Sequence, residues 1–103
     1  MRMQLKEAIL TFQPSATDRS AIFALEPISP TANARVAQLA KDYSIPAELA
    51  AAGFRYVVGA EDLGSLLAWS AKNNLGSERV VDLVCHFALH DAYPEWANQL
   101  GVS

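Results

Sequence analysis

The residues best equipped for chemistry stand together near the C-terminus, in the run Cys85-His86-Phe87-Ala88-Leu89-His90-Asp91. His86 and His90 are four positions apart. On a helix their imidazoles therefore share one face and form a two-point site for a divalent metal such as zinc or nickel. Asp82 adds a carboxylate one turn earlier. A structural zinc site takes four protein ligands, so further donors must come from elsewhere in the chain or from a second chain. The glutamate that follows the first histidine of a zinc-protease helix is Phe87 here. Arg79, Asp82, His86 and His90 also trace the narrow polar stripe of an otherwise apolar helix, which a partly exposed face produces with no ligand at all. An Asp82–His86 pair on that stripe simply strengthens when the imidazole gains a proton. The sequence accordingly assigns no metal and no cofactor, and keeps His86 and His90 as the candidate ligands of an alternative metal-binding reading. Cys85 lies off the stripe and reads as an inert buried thiol.

Two tryptophans offer a different kind of chemistry. Trp69 falls off the Leu63, Leu66, Leu67 stripe of its helix, and Trp96 follows Tyr93 by three residues. Large aromatics away from the core face are typical anchors of protein interfaces. The alternative is internal packing, with Trp69 under the N-terminal segment and Trp96 folded back on the preceding helix. Charge placement favours the interface. Through Arg79 the chain carries eight basic and eight acidic side chains; beyond it come Asp82, Asp91 and Glu95 and no Lys or Arg. The net charge of −3 thus sits in the last quarter, where it opposes phosphate binding and makes nucleic acid a poor partner. Trp69, Asp82, His86, His90, Asp91, Glu95 and Trp96 form the expected partner-binding set, for another protein or for a second copy of this chain.

Catalytic signatures are missing. The chain has no Gly-x-Ser-x-Gly, no phosphate-cradling glycine loop and no dinucleotide fingerprint. Gly59-Ala60-Glu61-Asp62-Leu63-Gly64 lacks the spacing and the lysine of a P-loop. Leu39-Ala40-Lys41-Asp42-Tyr43-Ser44-Ile45 has the cadence of a helix-turn-helix. The helix after it, Pro46 to Ala52, carries no Arg, Lys, Asn or Gln to meet a base edge, which leaves a packed helical corner.

These side chains must be positioned by elements, and the periodicity predicts mostly helices. Ser29-Pro30 opens the first, with Val36, Leu39, Ala40 and Tyr43 as its apolar stripe. A short helix follows from Pro46 to Ala52 and stops at Gly53. A long one spans Ala60 to Asn74, with Glu61 and Asp62 in its first turn. Ser77 caps another from Glu78 to Ala92, and a last turn starts at Pro94 and runs through Trp96 to Leu100. In residues 1–26 the apolar spacing of Met1, Leu5, Ala8, Ile9 and Phe12 fits a helix, while Ala8–Gln13 and Ala21–Glu26 fit a pair of strands. Phe54 to Val58 is strand-prone but would need a pairing mate.

At 103 residues and 51% hydrophobic composition the chain makes one domain with one core. The expected fold is mainly α: a single-domain helical bundle over 1–103 of about four to six helices, with a minor β-element allowed in the N-terminal third or at 54–58. A single cysteine excludes an internal disulfide and suits a reducing compartment. Charges in Met1 to Glu7 break the apolar stretch a signal peptide needs, and no run is long enough to span a bilayer. The expected protein is cytoplasmic, away from membranes and non-catalytic: an interaction module such as a small regulator, inhibitor or accessory subunit, docking through an apolar and acidic surface.

Overall fold

Helical periodicity governs most of this chain, but its short apolar runs near Ile22, Val36 and Val57 pair as strands. The computed structural model describes residues 3–12, 19–42 and 44–98. In order it shows β1 (Met3–Gln4), α1 (Leu5–Thr11), β2 (Ser20–Leu25), β3 (Asn33–Gln38), α2 (Ala47–Ala51), β4 (Phe54–Gly59), α3 (Ala60–Lys72), α4 (Ser77–His90) and α5 (Glu95–Asn98). The four strands form one antiparallel sheet in the order β1-β3-β2-β4. This is an α+β fold, and the expected helical bundle is wrong.

The largest departure is at Asn33–Gln38, expected as the start of a helix and found as a strand. Val36, Leu39 and Ala40 do fit a helical stripe. Residues 34–38 can equally run extended, and β2 supplies a partner for each of them: Ala34 faces Ala24, Val36 faces Ile22 and Ala37 faces Ala21. Alanine's advantage in a helix is only tenths of a kcal/mol over most residues, so two-sided strand pairing overrides it. Ser29-Pro30 starts no helix. Instead the carbonyls of Pro30 and Ala32 accept hydrogen bonds from Lys6 and Leu5, capping the N-terminus of α1 from outside. With β3 a strand, the expected helical corner is not formed: residues 39–42 and 44–45 are in no helix, and Asp42 Oδ1 accepts from the Ser44 amide at 3.1 Å and hydroxyl at 2.6 Å. Tyr43 lies outside the described residues, as do Met1, Gln13 and Leu100.

The ambiguous N-terminal third resolves into one of each: α1 covers Leu5–Thr11, and β2 covers Ser20–Leu25. The strand-prone 54–58 segment finds its mate in β2. The later helices lie close to their expected spans, although Ser77 is the first residue of α4 and not its cap.

β2 organises the molecule because it is buried on both faces. Ile22 and Ala24 join Leu5, Ile9, Val58, Leu63, Leu66, Leu83 and Val84 in the main core, beneath α1, α3 and α4. Ala21 and Phe23 point the other way, into a small second cluster with Leu49 of α2 and Phe54. Along β4 the register slips between Ile22 and Phe23, from Val58 to Tyr56. Val57 is the extra residue of a β-bulge there, which lets Val57 and Val58 both enter the main core. No helix among the described residues is long and apolar enough to cross a membrane.

Candidate functional site

α4 and the segment after it carry most of the expected site, and the structure divides those residues into two groups. The first is engaged within the chain. Trp96 folds back on α4: its indole Nε1–H donates to Asp82 Oδ2 at 2.9 Å, and the Arg79 guanidinium lies 4.7 Å from its ring centre. Trp69 meets Tyr93 edge-on at 5.3 Å, and Tyr93 also contacts Phe87 edge-on at 6.2 Å. Both tryptophans are therefore half-buried staples that tie α5 and its approach to α3 and α4.

The second group stays open. His86 is half-buried, and His90, Asp91 and Glu95 are exposed. The His86 and His90 rings lie with centres 4.5 Å apart and planes tilted by 47°. Asp82, one turn before His86, is taken by Trp96. Among the described residues no group of three or more His, Cys, Asp or Glu side chains comes together to hold a metal ion, so the pair offers two donors. Cys85 is buried, and burial, with the Asp82 carboxylate adding to it, pushes its thiol up to about 11. It stays protonated at neutral pH and makes a poor nucleophile.

The surface beside this second group contains residues that the sequence did not single out. Between β4 and the C-terminal half of α4 lie two adjoining depressions that share Tyr56 and Ala88. The larger, of about 610 Å³, is walled by Ile28, Ile45, Tyr56, Ala88 and Leu89, with the Glu26–Arg55 ion pair (2.7 Å) at its outer end. The smaller, of about 260 Å³, runs past Val58 and Phe87 to Asp62 and Asp91. Tyr56 is 44% exposed and Leu89 56%, and they are two of four large apolar side chains left open among the described residues. The Tyr56 ring packs edge-on against Phe23 at 6.2 Å, and its hydroxyl accepts the Gly59 N–H. Burial, with Asp62 close by, raises the Tyr56 phenol above its ordinary range. A side chain at Gly59 would run into that hydroxyl, since its Cβ would stand 2.6 Å away.

One signal for this groove was present in the sequence. Leu89 is three residues after His86 and seven after Asp82, which sets it within the polar stripe of α4 and not on the core face. Tyr56 carried no such signal, because its exposure depends on β4 being a sheet edge. A further depression of about 290 Å³, between Lys6, Leu10, Glu78 and Val81, pairs one cation with one anion and opens one large apolar side chain, Leu10. Comparison with known protein families, curated proteins and solved structures finds no match to this chain.

Proposed function

We propose that this chain is a protein-docking module, and that its working surface is the groove between β4 and the C-terminal half of α4. The observation that carries this reading is the shared outlook of Tyr56 and Leu89. Both leave apolar surface in water beside Ile28 and Ile45, and they are the two most closely grouped of the exposed large apolar side chains, sharing one depression. Contiguous open apolar surface rimmed by charge is characteristic of interaction sites. Asp91 lines its inner end, so one member of the expected partner-binding set belongs to this surface. Trp69, Asp82 and Trp96 serve it indirectly, by fixing α5 against the back of α4.

The supporting geometry argues against catalysis as the main activity. The groove is open and shallow, and the thiol of α4 is protonated and buried. The test is site-specific photocrosslinking in the source cell. A benzoylphenylalanine at Leu89 should give a discrete protein adduct, and the same residue at exposed Lys72 on α3 should not. Adducts of equal intensity at both positions, or none at position 89, would sink the assignment.

A further inference from the structure

We infer that the occupant of the groove is an extended peptide segment with apolar side chains and at least one Lys or Arg, the cation seated at the Asp62–Asp91 end. The inference rests on the docking surface proposed above and specifies its partner. Charge is the first argument. Glu26 and Arg55 neutralise each other at one end of the groove. At the other end Asp62 and Asp91 line the same depression, and among the described residues no Lys or Arg pairs with either. The surface therefore presents two uncompensated carboxylates.

Asp91 is the second argument, because its position is unfavourable on two counts. It holds a left-handed backbone conformation, φ 52°, which L-residues adopt at a cost. It also places a negative charge at the C-terminus of a 14-residue helix, where the macrodipole is already negative. Glycine would suit that backbone better, and a cation would suit that end of the helix better. A carboxylate there is at odds with local stability and fits a surface that receives a cation.

Charge also decides among occupants. A second copy of the chain would bring the same pair of uncompensated carboxylates and a net charge of −3 against its own likeness, so self-association through this face is repulsive. Nucleic acid and anionic lipid are repelled for the same reason. The mode of docking follows from the edge of the sheet. β4 is the outer strand, but the bulge at Val57 interrupts its ladder, Arg55 places a charge on it, and the Gly59 N–H is occupied by the Tyr56 hydroxyl. These features blunt an edge against strand addition. The groove is thus read by side chains: an apolar anchor between Tyr56 and Leu89, and an ammonium or guanidinium between Asp62 and Asp91. β4 runs about 20 Å, the reach of roughly six extended residues.

The experiment is selection of random phage-displayed dodecapeptides on the immobilised chain, with the Leu89→Glu variant as the counter-target. A selected peptide is then synthesised with a fluorescein label and its Kd measured by anisotropy. Peptides pairing an apolar residue with Lys or Arg should be enriched. Asp62→Asn with Asp91→Asn should weaken the peptide by about tenfold. Replacing the peptide's basic residue by norleucine should cost the same and leave no further sensitivity to the two Asn substitutions. Enriched peptides without basic residues, or a Kd indifferent to the Asn pair, would overturn the inference and leave the docking surface standing. No enrichment over Leu89→Glu, with that variant's circular dichroism native, would overturn both. A dimer in sedimentation that Leu89→Glu dissolves would replace the peptide by a second copy.

Discussion

Cys85 on α4 and Trp96 on α5 make opposite kinds of contribution. The Cys85 thiol has its pKa raised from 9.0 to about 11, first by burial and then by Asp82. A group that holds its proton more tightly in the folded chain has its contribution to stability fully present below the unfolded pKa. Between about 9 and 11 the unfolded chain has lost the proton while the folded chain retains it, so stability falls as pH rises through that window. The urea midpoint of the wild type should therefore decline from pH 8.5 to 10.5 more steeply than that of Cys85→Ala. Parallel profiles would remove Cys85 as the cause. Trp96 stabilises through an exposed bond to a charged acceptor, worth about 0.5–1.5 kcal/mol. Trp96→Phe and Asp82→Asn should each destabilise by about 1 kcal/mol in urea, and the double variant by no more than the larger single effect. Additive losses would show that the two side chains do not interact.

Asp91 belongs to the scale of the element, because what it does follows from where α4 ends. Asp91→Gly relieves the left-handed backbone and removes a charge from the negative end of the helix. The variant should be more stable by about 0.5–1 kcal/mol while binding the selected basic peptide more weakly. A rise in the urea midpoint with unchanged peptide affinity would make Asp91 a local accident. The ends of α3 and α4 were largely legible in the sequence, as Glu61, Asp62, Asn74 and Gly76 are strong local signals. Gly53 was legible too, and takes the left-handed φ of 89° that a stop after α2 requires. β3 was not. Its six residues satisfy both periods over so short a window, and only β2, several residues upstream in sequence, decides between them. The candidate site was legible to the same extent: Asp91 ends a readable helix, whereas Tyr56 and Asp62 join it only because β4 and the start of α3 pack beside α4.

Across the whole molecule the sheet divides the interior unequally, and stability should follow that division. The main core takes Ile22 and Ala24 from β2 with α1, α3 and α4, while among the described residues the opposite face is covered by five-residue α2 and the loop before it. Loss of α2 would expose Phe23 and Phe54 but leave the larger core intact. β2 is hydrogen-bonded to a strand on each side and is buried on both faces, so its amides should open only with global unfolding. In native-state hydrogen exchange, Ile22, Phe23 and Ala24 should be the slowest residues and the amides of α2 among the fastest. Substitution should report the same asymmetry. Ile22→Ala removes a fully buried side chain and should cost 2–5 kcal/mol. Val36→Thr, directly across the sheet from it but 38% exposed, should stay within about 0.5 kcal/mol of wild type. If α2 proved as protected as β2, the two cores would be one cooperative unit. The groove would then be set by the sheet as a whole, since Ile45 reaches it from the loop that precedes α2.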